Sequence, residues 1–92
     1  MDMLHKLEAI IQDRKANPIE GSYTALLFGN GRPKIAQKVG EEATEVIVAA
    51  LAQSRQEQIG ELSDLFYHTL VLMADMNISL EDVCAELEKR HK

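Results

Sequence analysis

The chain has one cysteine (Cys84), no tryptophan, two prolines and only 4% aromatic residues. A single thiol makes no intrachain disulfide, and it excludes both a Cys-x-x-Cys redox pair and a clustered thiolate zinc site. With aromatics scarce and Ala, Leu, Glu, Ile and Val dominant, helices are favoured over a β-sandwich. Long apolar runs are also missing. The longest, residues 46–52, is far short of the roughly 20 residues that a membrane span needs. The opening Met-Asp-Met-Leu-His-Lys shows no basic stretch followed by an apolar core, so no secretory signal is visible. Basic residues are outnumbered, ten Lys and Arg against fifteen Asp and Glu, and a formal charge of −5 excludes a generic basic nucleic-acid binder. The expected setting is a soluble protein of the reducing cytoplasm, with neither nucleic acid nor membrane as partner.

What is present has an ordinary globular balance, 46% hydrophobic and 27% charged, too apolar for a disordered chain. Residues 1–92 are expected to form one domain. A chain of this size buries only about 60–65% of its unfolded surface, so it has little room for a deep internal cleft.

Leu4, Leu7, Ile10 and Ile11 recur at helical spacing behind a potential cap at Asp2, and Asn17-Pro18 ends that helix, because the residue before proline is pushed out of the α region. A short segment over residues 22–28 starts at Ser22 and stops at Gly29-Asn30-Gly31. Pro33 suits a first helical position, and the helical pattern then runs to Gln53 with Gly40 as its weak interior residue. A polar break at Ser54-Arg55-Gln56 leads into a third long segment over residues 57–76, in which Gly60 would mark either the true helix start or a tight contact. After a turn at Asn77-Ile78, Ser79 and Asp82 have the spacing of a capping box. Leu80, Val83, Cys84 and Leu87 give the last helix its apolar stripe. Met73, Met76 and the Cys84 thiol are expected in the core. The pattern predicts an all-α domain of four main helices plus a short one.

Glu41, Glu42 and Glu45 fall within an arc of about 100° on one helix, and Glu61 and Asp64 within about 60° on the next. Packed helix axes lie about 8–10 Å apart, so carboxylates from both faces can converge on one point. Such a cluster suits a hard divalent cation with oxygen ligands, Mg²⁺ or Mn²⁺. Acidic stripes are commonly just solvated faces. Here the acidic face continues into Val48, Ala49 and Ala52 on one helix, and Leu65, His68 and Leu72 lie alongside on the other, which predicts a largely buried setting. Spacing alone does not separate the two readings.

Glu41-Glu42-x-x-Glu45 followed by Glu61-x-x-Asp64 resembles the signature of the MazG-like all-α nucleoside triphosphate pyrophosphatases. Within that superfamily, residues 21–27 (GSYTALL), 34–50 (KIAQKVGEEATEVIVAA), 64–73 (DLFYHTLVLM) and 78–90 (ISLEDVCAELEKR) are similar to the phosphoribosyl-ATP pyrophosphatases of histidine biosynthesis. This resemblance covers nearly the whole chain. It implies a nucleotide-binding hydrolase that cleaves the α–β phosphoanhydride of phosphoribosyl-ATP, depends on Mg²⁺, and completes its helical bundle as a homodimer or larger homo-oligomer. It further implies Glu42, Glu45, Glu61 and Asp64 as metal ligands, with Glu41 as a second-metal ligand or general base. Some relatives carry a fused phosphoribosyl-AMP cyclohydrolase domain, for which this chain has neither length nor cysteines, so a single activity is expected.

A polyphosphate also needs cations from the protein. Lys38 lies one turn before Glu41 and Glu42 on the same face, and is expected in the catalytic site. Arg32 and Lys34 begin that helix, where free amides and the helix dipole also favour anions, so they are expected to bind substrate unless they are plain surface charge. Ser22, Tyr23 and Thr24 are candidates for ribose or phosphate contact, although capping and packing explain a Ser and a Tyr there as well. His68, one turn beyond Asp64, is either a hydrogen-bonded core residue or a catalyst.

Two rival functions are compatible with these residues. One is a house-cleaning pyrophosphatase of the same superfamily acting on free (d)NTPs. The other is a non-enzymatic helical dimerisation or metal-binding module, which would have no use for Lys38 beside the carboxylates. Residues 46–52 and 70–74 are apolar on nearly every face, more than four short helices can cover, so a second chain is expected to bury them. Setting the five clustered acids aside leaves ten acids against ten bases, so the net charge is the size of one metal site.

Overall fold

Four of the five helices start at a polar residue whose side chain accepts a hydrogen bond from the first turn: Asp2, Ser22, Ser54 and Ser79. Each satisfies an amide hydrogen that would otherwise lack a partner, a contribution of about 1 kcal/mol. At Ser54 and Ser79 the third residue, Glu57 or Asp82, bonds back to the cap to complete a capping box. The exception is the third helix. It follows Gly31, whose φ of 90° suits only glycine, and it starts with proline in its first turn instead.

The computed structural model describes residues 2–92. It is all-helical, with α1 (Met3–Ala16), α2 (Tyr23–Asn30), α3 (Arg32–Ala52), α4 (Arg55–Asp75) and α5 (Leu80–Arg90), and there is no strand among the described residues. The all-α expectation of four main helices plus a short one therefore holds, α2 being the short one. The segment expected to stop at Gly29 runs on through Asn30. The polar break at residues 54–56 is the capping box and first turn of α4, so the helix starts two residues earlier than the pattern predicted. Gly60 is consequently interior to α4, not its start. A Cβ added there would meet nothing within 4 Å, which removes the tight contact as well.

Helices α3 and α4 form an antiparallel hairpin through a two-residue link, closed at one end by Gln58 Nε2 donating to the carbonyls of Ala49 and Gln53. At the other end Arg32 donates to the Asp75 carboxylate at 2.7 Å and to its backbone oxygen at 2.9 Å. Helices α1 and α2 pack across the hairpin. The core gathers Ile11, Leu27, Ile35, Leu70, Val71, Met73 and Ala74, with Leu7, Phe28, Tyr67, Leu72 and Leu80 against it. Each fully buried aliphatic side chain contributes about 1.5–3 kcal/mol.

The two apolar runs part company here. Leu70, Val71, Met73 and Ala74 are buried within the single chain, contrary to the expectation that they need a second one. Of residues 46–52 only Ala49 is buried; Ile47, Val48 and Leu51 are exposed, Leu51 at 83%. Two core assignments also fail. Met76 is exposed because it is the C-cap of α4 and lies past the packed face. Cys84 is exposed because α5 docks only through its first turn, where Glu8 accepts from the Leu80 amide and His5 meets Glu81, leaving Val83, Cys84 and Leu87 facing outward.

Candidate functional site

The hairpin sets Glu42 and Glu45, one helical turn apart on α3, opposite Glu61 on α4. A carboxylate oxygen from each lies within 4.8 Å of the other two. Their surroundings differ. Glu42 is buried, Glu61 is half-buried and Glu45 is exposed, as are Glu41 and Asp64, so the site is a rim around one buried acid, not the largely buried cluster expected. Burial is uneven because Val48 and Ala52, which continue the acidic face, are themselves exposed.

Two oxygens stand out. Glu42 Oε2 and Glu61 Oε2 are buried and have no hydrogen-bond partner. An unpaired buried carboxylate oxygen is costly, and the titration of both groups reflects that cost. The adjoining Glu45 carboxylate, and then burial, raise the pKa of Glu42. Burial first, then Glu45 and Asp64, raises that of Glu61. Asp64 is thus close enough to Glu61 to repel it, although its carboxylate is outside the tight trio. Three converging carboxylates with two orphaned oxygens make a hard, anionic, all-oxygen donor set. That donor set fits a hard divalent cation with oxygen ligands.

Lys38 projects from the preceding turn of α3, its Nζ 3.5 Å from Glu41 and 3.7 Å from Glu42. Burial works to lower its pKa, but the Tyr23 phenol, Glu41 and Glu42 outweigh that and raise it, so Lys38 is a fixed cation. A hydrogen bond from Gln37, helped by Lys38 and Lys34, holds Glu41 below the usual carboxylate range. Arg32 is drawn to Asp75 at the far end of the hairpin, about 15 Å along α3 from Glu42. Lys34 is exposed on the first turn of α3, near enough to Glu41 to influence its charge.

Of the serine, tyrosine and threonine on α2, Ser22 is its N-cap, accepting from the Ala25 amide at 3.2 Å. Tyr23 and Thr24 reach α4: the Tyr23 hydroxyl meets His68 Nε2 at 3.1 Å, and Thr24 Oγ1 bonds the Tyr67 hydroxyl. The three rings cluster, Tyr23 stacked on Tyr67 and both edge-on to the buried His68. Tyr67 joins this cluster although it was not among the candidate site residues. Its signal was available, since Tyr67 and His68 lie three and four residues beyond Asp64, on one helix face.

A shallow cavity of about 250 Å³, lined by Glu45, Val48, Gln53 and Glu61, opens beside the trio. Larger hollows of about 450 Å³ by the α4–α5 turn and 440 Å³ beside the α1–α2 link hold no converging carboxylates.

Residues 4–91 match the family model described as phosphoribosyl-ATP pyrophosphohydrolase. The chain belongs to that family. Among relatives of this pyrophosphohydrolase-family chain, the phosphoribosyl-ATP pyrophosphatase of Clostridium acetobutylicum is 53% identical over 91 residues, covering 99% of this chain and 83% of its own. That of Sulfurisphaera tokodaii is also 53% identical, covering 99% and 97%. A histidine biosynthesis bifunctional protein of Caldanaerobacter subterraneus is 51% identical over all 92 residues, which span 45% of that longer protein.

Proposed function

We propose that this chain hydrolyses the α–β phosphoanhydride of phosphoribosyl-ATP, releasing phosphoribosyl-AMP and pyrophosphate, as the second step of histidine biosynthesis in the cytoplasm. The observation that carries the mechanism is the convergence of Glu42, Glu45 and Glu61 with two unpartnered buried oxygens, next to a fixed Lys38. Glu42, Glu45 and Glu61 would hold Mg²⁺, with Mn²⁺ as a substitute, and Asp64 would complete the set from the next turn of α4. The cation, when bound, offsets polyphosphate charge and acidifies a water.

The chain's own residues do the rest. Lys38 holds the phosphate oxygens and balances charge on the departing pyrophosphate, as water adds across the α–β bridge. Glu41 remains ionised, because its pKa is depressed. That makes it a ligand for a second cation in preference to a base that must take up a proton. Tyr23 and Thr24 form the substrate-side wall. Lys34 would meet outlying phosphates, while Arg32 reaches them only by leaving Asp75.

The uncovered hairpin face supports assembly as a homodimer or larger homo-oligomer. Ile47, Val48 and Leu51 of α3 and Ile59, Leu62 and Phe66 of α4 are large, apolar and exposed. Val48 also lines the carboxylate cavity, so a second copy on this face would wall the site.

The decisive assay is pyrophosphate release from phosphoribosyl-ATP, beside a panel of free dNTPs, with and without Mg²⁺. Release from phosphoribosyl-ATP alone, and only with the metal, is expected. Equal turnover of dNTPs would make the chain a house-cleaning pyrophosphatase. No turnover, despite metal binding, would leave a metal-binding module.

A further inference from the structure

The cavity of about 250 Å³ beside the carboxylates is lined by Glu45, Val48, Gln53 and Glu61, and none of the four is basic. Pockets for drug-sized ligands run to about 300–1,000 Å³, so this one has room for a single ring system and not for a whole nucleotide. Two of its walls are acids of the converging trio. The other two differ in kind, one a branched aliphatic side chain and the other a carboxamide. An apolar surface with one orienting polar group is how proteins commonly hold a small uncharged ring.

The helix gives the site a direction. Lys38, Glu42, Glu45, Val48 and Gln53 follow one another along α3 within an arc of about 140°. At 1.5 Å per residue, Lys38 lies about 6 Å before Glu42, and Gln53 about 12 Å beyond Glu45. A cation thus stands at one end and an uncharged hollow at the other. Phosphates turned toward Val48 would face Glu45 and Glu61 with no side-chain cation in the lining, whereas at the other end they meet Lys38. The polyphosphate therefore runs toward Lys38, and the nucleoside toward Gln53.

Gln53 is set for that role. It caps α3, its amide donating to the Ala49 carbonyl at 3.1 Å and its own carbonyl accepting from Gln58 Nε2 at 3.2 Å. Its backbone is fixed, while its side-chain amide has no hydrogen-bond partner among the described residues. A carboxamide offers a donor and an acceptor side by side, which matches the N6 and N7 edge of adenine.

We propose that this cavity is the base subsite, with Val48 packed against the adenine ring and Gln53 reading its N6–N7 edge. The proposal rests on the reading above that the triphosphate lies at the carboxylates and Lys38. It makes Gln53 a specificity-determining residue that takes no part in proton transfer.

The test is calorimetry on the whole chain with Mg²⁺ present, using AMP, 7-deaza-AMP and ribose 5-phosphate as probes. The deaza analogue replaces N7 with a carbon and so removes one hydrogen-bond acceptor. The wild type is expected to bind AMP about tenfold tighter than 7-deaza-AMP, and Gln53→Ala to bind both with the weaker affinity. Ribose 5-phosphate, which lacks the base, should bind both proteins alike. In the pyrophosphate assay, Gln53→Ala should raise KM for phosphoribosyl-ATP about tenfold. No AMP binding, equal wild-type affinity for AMP and 7-deaza-AMP, unchanged AMP affinity in Gln53→Ala, or an equal loss for ribose 5-phosphate would each overturn the proposal. Should the wild-type chain fail to cleave phosphoribosyl-ATP while the three probes bind as expected, the functional reading falls and the base subsite stands.

Discussion

Glu42 and Glu61 each hold a buried oxygen with nothing to bond, and this costs the metal-free protein stability at neutral pH. Both pKa values are raised above the ordinary 4.5, so these groups favour the fold most when protonated. Their contribution is full below about pH 4.5 and is lost as pH rises through the raised folded values. Glu61→Gln in the presence of a chelator should therefore melt a few degrees higher than the wild type. The same variant should lose most of the melting-point rise caused by Mg²⁺, and at least about a hundredfold of Mg²⁺-dependent turnover. A differential scan with and without metal, beside the pyrophosphate assay, checks all three. The convergence of Glu42, Glu45 and Glu61 was legible in residue spacing, because the helical period puts acids on one face of each arm of the hairpin. Their unequal burial was not. Whether Glu42 or Glu45 faces the partner helix turns on a rotation of a few tens of degrees about α3, which tertiary packing decides. The engagement of Arg32 by Asp75 was equally invisible, since 43 residues separate them.

At the scale of the element, the start of α5 was legible because Ser79 announces itself through Asp82 three positions on, whereas the same spacing of Ser54 and Glu57 was read as a polar break. Gly60 was misread for a different reason: propensity argued against an interior glycine, and the packing of α4 overrode it. The space around it is open, so Gly60→Ala should stabilise the protein by up to about 1 kcal/mol, seen as a higher urea midpoint at unchanged slope. The last helix depends on a small electrostatic clamp. His5 sits between Asp2, at 2.9 Å, and Glu81 of α5, at 2.7 Å. Glu81 first, then Asp2, raises the His5 pKa above 6.5, so the clamp's stabilisation is fully present below pH 6.5 and lost as pH rises through the raised value. The Asp2 pKa is depressed, chiefly by the His5 amide, so its share is present above pH 3.8 and lost as pH falls through the lowered value. Amide exchange in the first turn of α5 should therefore be slower at pH 5.5 than at pH 8.5 after correction for intrinsic rates. His5→Gln should erase that difference.

For the whole molecule, the hairpin face left bare by one chain is the largest unresolved demand of the fold. Residues 46–52 looked too apolar for a four-helix chain, and that reading survives in Ile47, Val48 and Leu51. Residues 70–74 looked the same in sequence, yet α1 and α2 cover them, and no periodicity could have told the two runs apart. Sedimentation at micromolar concentration should give a dimer or larger species, and Leu51→Asp combined with Phe66→Asp should give a folded monomer. A compact wild-type monomer would remove the argument for a second copy.

The repulsion held between α3 and α4 also bears on how long the protein survives. A newly made chain closes its hairpin around acids that oppose closure until a cation arrives, and proteases act on the fraction of molecules that are open. On the proposed metal site, free divalent cation would lengthen the survival of the polypeptide as well as ready it for catalysis. On the proposed Mg²⁺ reading, a protease should cut the metal-free protein faster than the protein supplied with Mg²⁺.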